Sequence, residues 1–524
     1  MVTISRRRFI QGAAATAATL GISGVTPARA WAMGPGGGGG GMGPGGGGGM
    51  GGSPTVIDPP PGAALHQPVI ASNESSEPGV VVVRLEARLA RVDVNGSPAN
   101  LVTYNGAHPG PMIRVRRDQL LRIRFRNGLP DDDAINFLGN SIRMTNLHTH
   151  GLHVSPGDNP NGTHADNMMV MLEPGEETVY EYDLSRHPGG NLNFYHPHIH
   201  GSVADQMWGG LAAPLIVEDE IPVLAPFAEH VLVLKDLGLT GDVPTPHDSQ
   251  MDYMHGLEGP IVMVNGQVNP RLSIAPGQVQ RWRVVNACTA RFFRLSLQSH
   301  SMYVVGTDGG LLDKPYRVTE LLLSPGERVD LLVKAAQKSG TYKWLSLPYS
   351  RGGMSGQQQV TLMTLTYGGA KLVQTIPSSV DPTAKRVTMD VAGLSRKQIR
   401  LQMGRGGVAI NGITYLDHER CFMTHSSTGT WEVWEVINES GMDHPFHHHT
   451  NSAQVLAITG GDPGYASLLT TSPAWKDVTI VPGWGKVELL MPVMDYAGMA
   501  MLHCHIIEHE DIGMMGVWHI MDEM

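Results

Sequence analysis

Met112-Ile-Arg-Val-Arg-Arg-Asp-Gln-Leu-Leu-Arg-Ile-Arg-Phe-Arg-Asn127 alternates polar and apolar side chains and stops on an asparagine. Alternation at period two sends successive side chains to opposite faces, so the stretch reads as a strand with one face buried. The signature returns in Ile274-Ala-Pro-Gly-Gln-Val-Gln-Arg-Trp-Arg-Val-Val-Asn286 and in Gly429-Thr-Trp-Glu-Val-Trp-Glu-Val-Ile-Asn438. A second element, Pro-Gly leading into an alternating strand, occurs at Pro174-Gly175, Pro325-Gly326 and Pro482-Gly483. The two elements begin roughly 50 to 60 residues apart, and the unit recurs after about 150. Short strands punctuated by Pro, Gly and Asn predict an all-β chain of three consecutive Greek-key β-sandwich domains. Their bounds fall near 55–222, 223–370 and 380–524, with 369–385 as the connection between the second and third.

Length and composition agree with that architecture. The chain has 524 residues, 41% of them hydrophobic and 16% charged, enough apolar material for several cores and against wholesale disorder. A formal charge of −10 argues against binding nucleic acid or an anionic membrane surface. Three cysteines cannot build a disulfide framework. The unusual counts are 24 His and 28 Met, both of which bind borderline or soft metals.

The first 30 residues read as an export signal. Arg6-Arg7-Arg8 precedes an apolar, small-residue run from Phe9 to Val25, and Ala28-Arg29-Ala30 supplies a cleavage pattern. Ser5-Arg6-Arg7-Arg8-Phe9-Ile10 resembles a twin-arginine signal, which implies export to a periplasm or the outside. Four arginines leave with the signal, so 34 basic side chains then face 48 acidic and the charge becomes −14. Residues 31–54 form a Gly/Met-rich tether; 34–52 alone hold 15 Gly, a composition with little to bury. Met33, Met42 and Met50 in it could hold copper transiently, but a linker is the better reading. No later apolar run is long enough to span a bilayer.

The histidines carry the chemistry. His148-Thr149-His150-Gly151 and His196-Pro197-His198-Ile199-His200-Gly201 fall in the first unit. The third holds His444-Pro445-Phe446-His447-His448-His449 and His503-Cys504-His505-Ile506-Ile507-Glu508-His509, with Met514 five residues on. The corresponding stretches of the middle unit, Ser296–His300 and Trp344–Leu347, have nothing comparable. On a strand, residues i and i+2 face one side, so each His-x-His aims two imidazoles into one space. In His503-Cys504-His505 the two histidines face one way and the cysteine the other, so one strand can serve two metal sites. Cys504 with His444, His509 and Met514 makes a His₂Cys set with a weak thioether, the donor set of a blue-copper centre. Structural zinc prefers closed sites, commonly with more than one cysteine, and suits this inventory less well.

These four segments resemble those of the multicopper oxidases, the family of laccases and bacterial cuprous oxidases, over the whole mature chain. The resemblance implies three cupredoxin-like domains and four coppers: one type 1, one type 2 and two type 3. It implies that His444, Cys504, His509 and Met514 hold the type 1 copper, and His148 and His447 the type 2. His150, His196, His198, His449, His503 and His505 would hold the type 3 pair. Dioxygen would be reduced to water with electrons taken one at a time through Cys504. Glu510 matches a family glutamate of proton delivery, and Asp166 resembles a second acid near the cluster, although Asp158 lies in the same loop. His200 and His448 occupy positions the family does not use and read as neighbours of ligands or surface residues. Cys288 and Cys421 read as small buried side chains.

The electron donor stays open between phenols or aromatic amines and low-valent metal ions such as Cu(I). Met442 and Asp443 precede His444 and are expected at that copper's edge. Met168, Met169 and Met171 cluster in one loop, and Met251, Met254 and His255 in another, loop-like stretch. No long Met/His insertion accompanies them. Readings from other classes are a copper-storing resistance protein, a structural protein with the same fold, and a copper nitrite reductase. The intact ligand set counts against the structural reading, and the three units with an intact His-Cys-His count against the nitrite reductase; a copper-storing protein would bind the metal without turning over oxygen.

Overall fold

The three stretches that end in asparagine form the strands Leu120–Asn127, Val279–Asn286 and Thr430–Asn438 of the computed structural model, which describes residues 55–218, 220–352 and 358–523. Each runs parallel to an earlier strand: Val80–Val94, Ala228–Leu237 and Ser395–Gly404, respectively. Each is antiparallel to the strand that follows a Pro-Gly: Glu177–Asp183, Arg328–Lys334 and Lys486–Val493. An antiparallel strand closes one edge in every case: Ser97–Tyr104, Ile261–Val264 and Gly407–Ile410. Parallel neighbours reached by a crossover, with antiparallel flanks, are the Greek-key pattern, and the chain is all-β with cupredoxin-like organisation.

The recurring asparagine has a physical cause. Its side-chain amide donates to two carbonyls of crossing loops: Asn127 to Arg143 and Leu172, Asn286 to Arg291 and Leu323, Asn438 to Met442 and Val481, all within 2.7–3.1 Å. Its carbonyl accepts the backbone N–H two residues on, from Leu129, Cys288 and Ser440. One side chain therefore ends a strand, turns the chain and ties down the loop beyond.

A second sheet faces each of these. In the first stretch it comprises Ile113–Val115, Ala213–Val217, Asn191–His196 and His148–His150. In the third it comprises Phe422–Ser427, Met515–Met521, Gly498–Cys504, His444–His448 and Val478–Val481. All the His-x-His segments border these second sheets. Thr55–Ile57 pairs with Gln358–Tyr367, so the first described strand belongs to a sheet of the middle stretch.

Burial follows the alternation in Leu120–Asn127, where Leu121, Ile123 and Phe125 are buried and Arg124 and Arg126 exposed. It departs from it in Val279–Asn286, which is buried at every position. Val285 packs there with Leu192 and Phe194 of the first stretch, and Arg281 is tied to Asp330 and Arg283 to Glu229. Pairs of edge-to-face tryptophans centre the other cores: Trp282–Trp344 at 5.4 Å and Trp434–Trp518 at 4.7 Å. Among the described residues no helix is long and apolar enough to cross a membrane. The export signal over 1–30 and the tether over 31–54, with Met33, Met42 and Met50, lie outside the described residues.

Asn438→Ala would leave the Met442 and Val481 carbonyls without their buried donor. At about 1–3 kcal/mol for each unsatisfied group, the protein is expected to lose about 3 kcal/mol. Denaturant unfolding measures this, and an unchanged midpoint would contradict the clamp.

Candidate metal centre

The strand pairings bring the histidines together. His148 lies opposite His196 across the first sheet pair, and His447 opposite His503 across the third. The two sets then meet face to face. His148 stacks on His449 at 4.1 Å between ring centroids, and His150 on His447 at 3.8 Å. His198, His449 and His503 converge, with Nε2 of His503 at 3.3 Å from that of His198 and 3.4 Å from that of His449. His505 Nε2 stands 3.2 Å from His150 Nδ1, with His196 beside both rings. The middle stretch closes this space without a histidine: a Cβ at Gly326, which has φ 82°, would lie 2.9 Å from the His505 ring.

One nitrogen of each of four rings is fixed by an acceptor, and in three of them the other is left bare. Nδ1 of His148, His196, His447 and His503 donates to the Asp166 carboxylate, and to the carbonyls of Pro197, Asp477 and Cys504, at 2.8–3.0 Å. Nε2 of His148, His196 and His447 is buried with no hydrogen-bond partner. A buried, unpaired lone pair aimed at its equals is costly in a protein alone and is what a metal ligand requires. The donor set therefore fits metal.

A second group forms on the other side of the same strand. Cys504 Sγ lies 3.5 Å from His444 Nδ1 and 3.6 Å from His509 Nδ1, and those two nitrogens are 3.3 Å apart. Met514 is fully buried there; its backbone carbonyl accepts from Cys504 N–H and its N–H donates to His509. Both imidazoles are capped at their outer nitrogens, His444 Nε2 by the Ser440 hydroxyl at 2.8 Å and His509 Nε2 by the Met254 carbonyl at 3.2 Å.

Burial sets the protonation. It pushes His444 down to about 3, helped by Arg351, and His449 down to about 4, helped by His148. His150, His196, His198, His447, His503, His505 and His509 are pushed well below the ordinary value by the same desolvation. The folded chain therefore presents neutral imidazoles, as a metal needs. Burial raises the Cys504 thiol in the absence of a cation. Burial would raise Asp166 too, but His148 and His449 hold its carboxyl well below the carboxylate range. Glu510, also buried, is raised; its oxygens lie 3.1 Å from His503 Nδ1 and 3.5 Å from His198 Nδ1.

The eleven expected His and Cys ligands thus fall in these two groups, Met514 adjoins the second through its backbone bonds to Cys504 and His509, and Asp166 and Glu510 lie at the edge of the larger one. Asp158 does not: it is half exposed and bonded to His164 and Asn167. His448 is no surface residue; its ring is buried against Trp434 and Phe446 on the opposite face of its strand. Cys288 is buried, whereas Cys421 is only partly so. Met442 and Asp443, the two residues before His444, have partners of their own. Met442 is buried against Arg351, and Asp443 is occupied by the Tyr349 hydroxyl and Gly483 N–H. Met251–His255 is a short helix, Gln250–His255, started by a capping box between Ser249 and Asp252. Sequence reading missed Asp477, Ser440 and the Met254 carbonyl. Nothing local marks Asp477, which lies at long range from His150, or the Met254 carbonyl, a backbone group; Ser440, four residues before His444, was within local reach.

Family profiles described as multicopper oxidase match three consecutive stretches, residues 87–221, 239–370 and 385–523. The chain is 25% identical to multicopper oxidase mco of Staphylococcus haemolyticus (strain JCSC1435), covering 86% of this chain and 90% of that one. It is 25% identical to a laccase of Bacillus subtilis (strain 168), covering 81% of this chain and 91% of that one. A multicopper oxidase from Campylobacter jejuni, described as a metallo-oxidase, superposes with a TM-score of 0.75 at 28% identity, covering 90% of this chain and 98% of that one.

The neutral imidazoles predict an acid-labile metal-free protein. His444 and His449 stay unprotonated far below 6.5, so below that pH the unfolded chain binds protons that the folded chain refuses. Each such group removes about 1.4 kcal/mol of stability per pH unit, from pH 6.5 down to about 4. Melting temperature of the metal-free protein should fall steadily across that window. A flat profile would contradict the assignment of buried neutral rings.

Proposed function

The chain belongs to the multicopper oxidase family, a copper oxidoreductase using dioxygen as acceptor, and on that premise we propose how its residues divide the work. His444, Cys504, His509 and Met514 hold the type 1 copper. His148 and His447 hold the type 2 copper, and His150, His196, His198, His449, His503 and His505 the type 3 pair. Bound copper supplies one-electron chemistry at the first site and four-electron reduction of dioxygen to water at the other three. The observation that carries this division is the segment His503-Cys504-His505, in which His503 meets His198 and His449, His505 meets His150, and the thiol meets His444 and His509.

The chain's own groups prepare both ends. Asp166 accepts from His148 Nδ1 and from Thr149 N–H, fixing that ring's orientation. Glu510 holds a proton between His503 and His198, where reduction of dioxygen consumes it. Three domains, over 55–222, 223–370 and 380–524, frame the sites, and the signal at 1–30 exports the protein.

For the donor we favour a low-valent metal ion, Cu(I). The support is a cavity of about 360 Å³ lined by Met251, Asp252, His255, Glu258 and Arg351. It adjoins the helix whose Met254 carbonyl accepts from His509, and soft thioether and imidazole donors suit Cu(I). A phenolic donor is favoured by one observation, Trp484, which is 75% exposed and covers Gly441 beside the Ser440 that caps His444.

Oxygen uptake by the copper-loaded protein separates the two. Uptake with a stabilised Cu(I) complex, and with a phenol only after Cu(II) is added, is the expected result. Direct phenol oxidation without added copper would shift the reading to Trp484, and no uptake with either would overturn oxidase turnover. Glu510→Gln should lower kcat about 10²-fold while leaving copper content at the native value. An unchanged kcat would remove Glu510 from proton delivery.

A further inference from the structure

A second cavity, of about 560 Å³, opens beside the histidine cluster and shares no residue with the one at Met251. Six thioethers line it: Met144, Met168, Met169, Met171, Met501 and Met515. Core packing accounts for Met168, Met501 and Met515, which are buried with Tyr415 and Val517. It does not account for Met169 and Met171, which are 39% and 61% exposed. An apolar side chain at such a place loses burial and gains no packing. The same wall holds His200, whose Nδ1 is buried without a hydrogen-bond partner and whose ring stands edge-on to Tyr415. Asp417, the carboxylate of the wall, is engaged by Arg420. At its inner end lies His198, whose Nε2 is 3.3 Å from that of His503.

Thioethers with an imidazole whose buried Nδ1 has no hydrogen-bond partner, and no free carboxylate, make a soft donor set that selects Cu(I) over harder ions. We propose that this cavity binds Cu(I) through Met169, Met171 and the Nδ1 of His200, and that it delivers copper to the adjacent histidine cluster. The ion enters and leaves as Cu(I), so the step is ligand exchange without electron transfer. This site is distinct from the electron-donor cavity and does not depend on which donor the enzyme oxidises.

Ag(I), a redox-inert mimic of Cu(I), tests the site without turnover. It is added to the copper-loaded, fully reduced protein carrying ¹³C at the methionine methyls. The Met169 and Met171 resonances should shift, and the Met169→Leu/Met171→Leu double variant should lose at least tenfold in Ag(I) affinity at this site. Leucine keeps the side-chain volume, and Met251→Leu serves as the control that leaves this site intact. Metal-free double variant should also take up copper from a Cu(I) complex at least tenfold more slowly, read as copper content over time. Unmoved Met169 and Met171 resonances, or equal affinity in native and double variant, would overturn the site. Normal Ag(I) binding loss with unchanged copper uptake would overturn the delivery role.

Discussion

The buried ion pair between Arg328 and Asp477 is the interaction on which the geometry of the larger centre depends. Both guanidinium nitrogens reach the carboxylate at 2.6 Å, and Arg328 Nε donates to the Leu192 carbonyl. Arg328 lies in a strand of the middle sheets, Leu192 in a strand of the first stretch, and Asp477 just before Val478–Val481 of the third. The same Asp477 presents its backbone carbonyl to His447 Nδ1, and its carboxylate lies 3.3 Å from His150 Nε2. Even the glycine of His-Thr-His-Gly follows from it: a Cβ at Gly151 would stand 2.3 Å from Arg328 Nη2. A buried pair adds little net stability over apolar groups, but removing one partner strands a charge at about 3–5 kcal/mol. Its contribution here is positional. The middle unit has no histidine in either cluster, yet it supplies the brace that holds the outer two in register.

A second buried set reinforces that joint. Lys476 lies 2.8 Å from Asp308 and 2.6 Å from Glu327, and Glu327 also accepts from the Tyr465 hydroxyl. These charges span the middle and third stretches just beside the imidazoles. The arrangement keeps neutral rings dry and pre-set, so that copper meets lone pairs rather than protons or water. Selectivity between the two centres follows from donor type: soft sulfur at one, imidazole alone at the other.

How much of this was legible in the sequence depends on range. The His-x-His pairs were legible because side-chain direction on a strand is a local property, and each pair converges as its spacing predicts. The recurring asparagines were legible as a repeat; their reason, a clamp on two crossing loops, needed the fold. Asp166 and Asp158 could not be separated by sequence, since both sit in one loop and only its path decides which carboxylate meets His148. Met442 and Asp443, expected near the copper from their adjacency to His444, are engaged by Arg351 and Tyr349, partners that no spacing announces. The methionine runs belong to two different places, one beside the helix whose Met254 carbonyl accepts from His509 and one beside His198. Asp477 and Arg328 were invisible, because their side-chain partners in each other and in His150 lie more than a hundred residues away.

The most direct test of the account is the position of bound copper in a crystal of the metal-loaded protein, measured by anomalous scattering at the copper absorption edge. The account predicts four peaks per chain: one among His444, Cys504 and His509, and three within the space enclosed by the other eight histidines. A single peak, or peaks away from the strand His503-Cys504-His505, would contradict it.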